Sequence, residues 1–237
     1  MGGRGIPYDS YLFYNLKSAT TGKEVVSKYE MSKGMGLVAR LNYSYLGRYL
    51  FSASCRWDAS SRLAAGNRWD SFPSVAVGWR VSDEAFMEST KKWLSNLKLR
   101  LSYGVTGTAA ISPYSSASTL DATTTSLALG GLLVPVVHSS EYVTNLILGW
   151  EKSYTSDIGI DVSFLNNRIE LTADYYHTKT KDIIYARTMP STMGGYTPNA
   201  YFKMNQNVCE TLNKGFELSV TSRNFVKKNF TLNSATL

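Results

Sequence analysis

Serines and aspartates are plentiful in this chain, but the histidines and motifs that would turn them to bond-making chemistry are scarce. His138 and His177 are its only histidines, and no G-x-S-x-G nucleophile motif accompanies them. Ser89-Thr90-Lys91-Lys92 matches S-x-x-K by letters alone, in what reads as a turn. Cys55 and Cys209 are far apart, form no C-x-x-C pair and suggest no zinc spacing. Gly34-Met35-Gly36 and Gly130-Gly131 follow no phosphate-loop pattern. The expectation is therefore a non-enzyme with neither cofactor nor metal. What the sequence does carry is charge at alternate positions. Arg40, Arg56, Arg80, Lys98, Arg100, Asp157, Asp161, Asp174 and Glu217 all occupy the polar parity of strand-like segments.

Those segments alternate with period two. Tyr49, Phe51, Ala53, Cys55 and Trp57 share one face, while Ser52, Ser54, Arg56 and Asp58 share the other. Val75, Val77 and Trp79 repeat the arrangement against Ser74, Ala76, Gly78 and Arg80. Nine strands are predicted, at Tyr8–Lys17, Gly34–Tyr45, Arg48–Asp58, Asp70–Val81, Leu97–Thr106, Ile147–Leu165, Arg168–Ala186, Asn207–Arg223 and Asn229–Leu237. A helical turn over Asp83–Thr90 interrupts them. Their connections alternate short and long, as in outer-membrane barrels with short periplasmic turns and longer outer loops. Tyr45, Tyr49 and Trp79 fall near the short-turn ends and Trp57 near a long-loop end, all with apolar parity. They read as membrane-interface anchors. Tyr49 and Trp57 are separated by roughly 20 Å of height in a tilted strand, close to an apolar band of about 25 Å.

One hairpin fixes a register. A two-residue turn at Asn166-Asn167 makes partner numbers sum to 333, which sets Phe164 against Ile169, Val162 against Leu171 and Ile158 against Tyr175. Slipping by one residue would mix the two faces. The same register opposes Lys152 to Lys181 and Tyr154 to Lys179 above the aromatic level. Opposed like charges require compensation, and Lys152, Lys179 and Lys181 are candidates for contact with lipopolysaccharide phosphates.

The chain of 237 residues is 43% hydrophobic and 13% aromatic, enough to fold. No run reaches the length of a transmembrane helix. The net charge of +7 is scattered along alternating strands, without a basic stripe or a recognised nucleic-acid module. The fold expected is all-β, an antiparallel transmembrane β-barrel segment of eight or nine meandering strands.

Longer blocks carry a resemblance. RYLFSASCRWDASSRLAAGNRWDSFPSVAVGWRVSDEAF (Arg48–Phe86) is followed by LKLRLSYGVTG (Leu97–Gly107), LGWEKSYTSDIGIDVSFLNNRIELTADYYHTKTKDII (Leu148–Ile184) and NKGFELSV (Asn213–Val220). In that order these resemble the barrel of SusC/RagA-type TonB-linked outer-membrane transporters. Leu63 stands where that family usually has Phe, and Trp57 replaces a frequently basic residue. The resemblance implies a Gram-negative outer-membrane location and energised import of glycans or peptides. It further implies an upstream plug that couples to TonB and a SusD-like surface lipoprotein as partner. Because MGGRGIPYDS lacks a signal-peptide core, residues 1–237 are expected to be a partial barrel domain, without plug or signal, that would not transport alone. Two alternatives are kept. An outer-membrane barrel enzyme of lipase or protease type would need an outward Ser–His pair. A soluble carbohydrate-binding β-sandwich would need no detergent. Loop aromatics Tyr114, Tyr142, Tyr196, Tyr201 and Phe202 are free to touch cargo.

Overall fold

The computed structural model describes residues 29–117, 120–121, 126–135, 138–139, 143–190, 202–227 and 230–236. Twelve strands follow in order: β1 (Gly34–Tyr45), β2 (Tyr49–Ser60), β3 (Trp69–Arg80), β4 (Leu94–Thr108), β5 (Leu120–Asp121), β6 (Ser126–Leu129), β7 (Leu132–Pro135), β8 (His138–Ser139), β9 (Glu151–Phe164), β10 (Ile169–Met189), β11 (Phe202–Lys227) and β12 (Phe230–Thr236). Eight of them form one antiparallel meander, β1-β2-β3-β4-β9-β10-β11-β12. The loop after β4 carries two small ribbons, β5 with β8 and β6 with β7. The predicted strand Tyr8–Lys17 lies outside the described residues.

Parity becomes two walls once the registers are read across the sheet. Tyr43, Phe51, Val77, Leu101, Ile158, Tyr175 and Phe216 are successive cross-strand partners. All seven are apolar in character, and each is between 39% and 66% exposed. No second sheet covers them among the described residues. An apolar row of this length in contact with water would be a large unpaid cost, since soluble monomers rarely expose contiguous apolar patches beyond a few hundred Å². The buried apolar cluster among the described residues is correspondingly small: Leu63 (1% exposed), Ala64 (6%) and Leu148 (0%), with Ala109, Ile111, Trp150 and Ile184 packed around them.

The β9–β10 ladder keeps the 333 register from Ile169↔Phe164 to Lys181↔Lys152. Its turn differs from the two-residue form expected. Leu165, Asn166 and Asn167 all have positive φ (52°, 56° and 60°), and the Arg168 N–H donates to the Phe164 carbonyl at 3.0 Å. Three left-handed residues therefore close the hairpin, and Leu165 leaves the ladder. Its own N–H donates to the Trp93 carbonyl at 2.9 Å. Between β3 and β4, short 3₁₀ segments at Val81–Asp83 and Ala85–Lys92 take the place of the predicted helical turn.

Candidate functional site

The opposite, polar wall gathers the charged residues singled out by parity. Arg40 pairs with Ser54, Ser54 with Ser74, Arg56 with Phe72, and Arg80 with Lys98. Lys98 pairs with Asp161, Ser102 with Asp157, and Arg100 with Gly159, which pairs in turn with Asp174 and through it with Glu217. Antiparallel partners point to the same side, so all nine stand on one face.

Arg100 organises the middle of this wall. Its Nε and Nη2 donate to Asp161 at 2.8 and 3.0 Å, and Nη2 also donates to Asp174 at 2.8 Å. The planar guanidinium suits such forked pairing, which a lysine could not reproduce. Gly159 makes it possible: a Cβ there would run into Asp174 and the guanidinium. Within β2 the Arg56 Nε donates to both carboxylate oxygens of Asp58, at 2.8 and 2.6 Å, and Gly36 leaves the room for that pair. Arg40, Arg80, Lys98, Asp157 and Glu217 form no ion pair among the described residues. Of these, Arg80, Lys98 and Asp157 line hollows on this face with Ser102, Asn96 and Thr172.

At the short-turn end the aromatic residues are fixed rather than merely present. Tyr45, Tyr49 and Trp79 are adjacent on the apolar wall, and Tyr49 stacks on Trp79 with centroids 6.3 Å apart. Glu84, from the turn after β3, accepts from the Tyr49 hydroxyl (2.7 Å), the Trp79 indole (3.1 Å) and Arg48 (3.0 Å). The Tyr49 hydrogen bond, then that from Trp79, hold the Glu84 carboxyl below its ordinary value, with Arg48 adding to the effect. Trp57 lies at the other end of the same wall, 39% exposed, beside Trp69 on β3.

The long-loop end is tied into a platform. Asn207 accepts from the Gly149 N–H and donates to the Gly149 and Asp182 carbonyls. Asn145 donates to the Asn205 carbonyl, and Asn205 to that of Ser115. The Ala64 N–H donates to the Leu148 carbonyl beside the Leu63–Leu148 contact. None of these asparagines, nor Gly159 or Glu84, was identified from sequence. The usable signal was a glycine or amide interrupting a strand's alternation.

The three lysines expected to face lipopolysaccharide have partners. Lys152 and Lys181 do oppose each other, and the compensation is visible. Lys152 Nζ lies 2.6 Å from Asp70, Lys179 pairs with Glu210 at 2.6 Å, and Lys181 sits 5.7 Å over the Tyr154 ring. His177 belongs to the apolar parity of β10. Tyr142, Tyr196 and Tyr201 lie outside the described residues.

Comparison with known proteins agrees with this geometry. The family model described as TonB dependent receptor-like, beta-barrel matches residues 4–237. The TonB-dependent receptor SusC of Bacteroides thetaiotaomicron is 37% identical over 195 residues, covering 81% of this chain and 19% of SusC. TonB-dependent receptor P3 of Formosa agariphila is 31% identical over 234 residues, 99% of this chain and 22% of that protein. The chain thus spans about a fifth of the length of these relatives. Among solved structures, the RagAB peptide transporter superposes with a TM-score of 0.74 at 25% identity, over 96% of this chain and 24% of that one. The ferric enterobactin receptor of Pseudomonas aeruginosa shares the fold alone, with a TM-score of 0.54 at 16% identity over 85% of this chain and 26% of that one.

Proposed function

This chain belongs to the TonB dependent receptor-like β-barrel family, and from that premise we propose that it is part of the wall of an outer-membrane importer of glycans or peptides energised through TonB. Its likenesses to SusC and RagAB put it with the SusC/RagA type, a type found in the outer membrane of Gram-negative bacteria. The observation that carries the reading is the division of one uncovered sheet into two walls. The exposed apolar row from Tyr43 to Phe216 suits lipid, and the face holding Arg100, Asp161 and Asp174 suits a hydrated lumen. Charged residues on a lipid face would cost about 2–4 kcal/mol each at the midplane.

In this reading cargo is captured at the long-loop end, where a SusD-like lipoprotein would close over it. A plug contributed by another part of the protein yields to force from TonB, and the cargo passes along the polar wall. No bond is made or broken. Arg40, Arg80, Lys98, Asp157 and Glu217, free of ion pairs within the sheet, are the groups available to a polar solute. The Tyr45–Tyr49–Trp79 cluster and Trp57 would sit at the two membrane interfaces. A lipopolysaccharide phosphate at the loop end would have to draw Lys152 and Lys179 from their carboxylates, so Lys181 is the cation most accessible to it.

The test is uptake. Cells carrying the intact protein should accumulate labelled members of an oligosaccharide and oligopeptide panel, and lose that uptake when either this gene or TonB is disrupted. Uptake that is indifferent to both disruptions across the panel rejects the reading.

A further inference from the structure

Among the described residues, one ladder inside the sheet stops well short of its neighbours. The β2–β3 ladder runs on to Ala59↔Trp69, and the β4–β9 ladder runs on to Thr108↔Glu151. Between them the β3–β4 ladder stops at Ser74↔Gly104. The cause is in the β3 sequence. Pro73 has no N–H to give, and the Ser71 N–H donates to its neighbour's side chain, Asp70 Oδ1, at 2.8 Å. Alternate residues of a strand present their N–H groups to the same edge. The ladder to β2 passes through Cys55↔Pro73 and Trp57↔Ser71 without a break, so the depleted edge is the one facing β4.

Side chains bridge the gap instead. Phe72, 6% exposed, lays its ring where a Cβ on Gly107 would stand and packs edge-on against Trp150, with centroids 5.3 Å apart. Trp150 Nε1 donates to the Arg68 carbonyl at 3.0 Å, and Lys152 binds Asp70 at 2.6 Å. β3 therefore grips β9 directly, past β4, because Gly107 offers no side chain in between. The neighbouring loops add the Leu63–Leu148 contact, the Ala64 N–H to Leu148 carbonyl bond and the Asn67 Nδ2 to Ile147 carbonyl bond.

We propose that this line is a latched seam: the loop-side ends of β1–β3 part from β4–β11 along it, hinging at Ser74 and Gly104, while the protein works. The β10–β11 ladder is also bulged, between Thr180 and Ile184, but it resumes and runs on to Met189↔Phe202, whereas the β3–β4 ladder does not resume beyond Ser74↔Gly104. Among the described residues, parting here exposes one small apolar cluster and breaks one ion pair, one ring contact and a few loop hydrogen bonds. Local opening follows the least costly boundary, and that boundary is the upper β3–β4 edge. The role in uptake rests on the import reading given above; the opening itself does not.

The experiment uses the intact protein with Cys55 and Cys209 replaced by serine. Spin labels at Ser71→Cys and Thr106→Cys straddle the seam, and labels at Thr106→Cys and Ser153→Cys, partners in the β4–β9 ladder, serve as the control. A second, longer distance population is expected across the seam and not in the control. A single narrow distance at both pairs overturns the proposal. In parallel, Asp70→Cys with Lys152→Cys, joined by a short bis-methanethiosulfonate cross-linker that spans the intervening strand, locks the seam through two reducible disulfides. Uptake should fall several-fold and return on reduction, whereas unchanged uptake in the locked protein removes its role in transport. A protein that takes up nothing even unlocked contradicts the import reading, while the distance measurement still decides the seam.

Discussion

The guanidinium of Arg100 on β4 reaches Asp174 on β10 at 2.8 Å by passing over Gly159 of the intervening strand. Three strands of the polar wall are joined in this way by one side chain, and the joint depends on a residue that contributes no atoms to it.

Gly159→Ala should accordingly destabilise the intact protein, because a Cβ meets both Asp174 and Arg100. Overpacking of this kind costs typically about 1–3 kcal/mol. The penalty should shrink in an Arg100→Ala background, where the guanidinium is gone. A double-mutant cycle on thermal unfolding in detergent checks this, and strictly additive effects would show that the two positions do not interact.

Glu84 predicts an acid response at the short-turn end. Its carboxyl titrates below the ordinary value because Tyr49 and Trp79 donate to the charged form. A depressed folded value means that the stabilisation is fully present above the unfolded pKa of about 4.3 and fades as pH falls through the folded value. Tryptophan fluorescence of the intact protein should change over that acid range as Trp79 is released. Glu84→Gln, which cannot ionise, should lack the transition, and a curve matching the unsubstituted protein would disprove the assignment.

The two walls should differ sharply in tolerance of charge. Leu101 and Ser102 are consecutive on β4 and belong to opposite faces. Leu101→Arg should impair folding into lipid vesicles by about 2–4 kcal/mol, the midplane cost of an arginine against lipid. Ser102→Arg should change it little. Equal effects at the two positions would mean that neither face meets lipid in preference.

Asn207 should govern the order of the long-loop platform. Asn207→Ala removes the bonds that hold both polar groups of Gly149 and the Asp182 carbonyl. Hydrogen exchange over residues 143–150 should accelerate, while that of the β9–β10 ladder stays as it was. If the loop retains its protection, the amide does not hold it.

The sequence alone was sufficient for the meander, the two walls and the 333 register. Those follow from period-two alternation, because a strand slipped by one residue would send Ile158 and Val162 to the charged side. The charged residues share a parity in the sequence, and the strand registers keep them on one face of the sheet. The hairpin was legible as a register but not as a turn. Three left-handed residues and an Arg168–Phe164 bond preserve the pairing that a two-residue turn would have set. What only the tertiary structure decided are contacts between strands distant in sequence. Arg100 finds Asp174 over Gly159, Glu84 collects two aromatic residues and an arginine, and Lys152 turns from its opposing lysine to Asp70. Parity fixes which side a residue faces, but long side chains reach across one or two strands. Which partner they meet depends on where a glycine leaves space and where a proline ends a ladder, and that is settled only when the strands lie side by side.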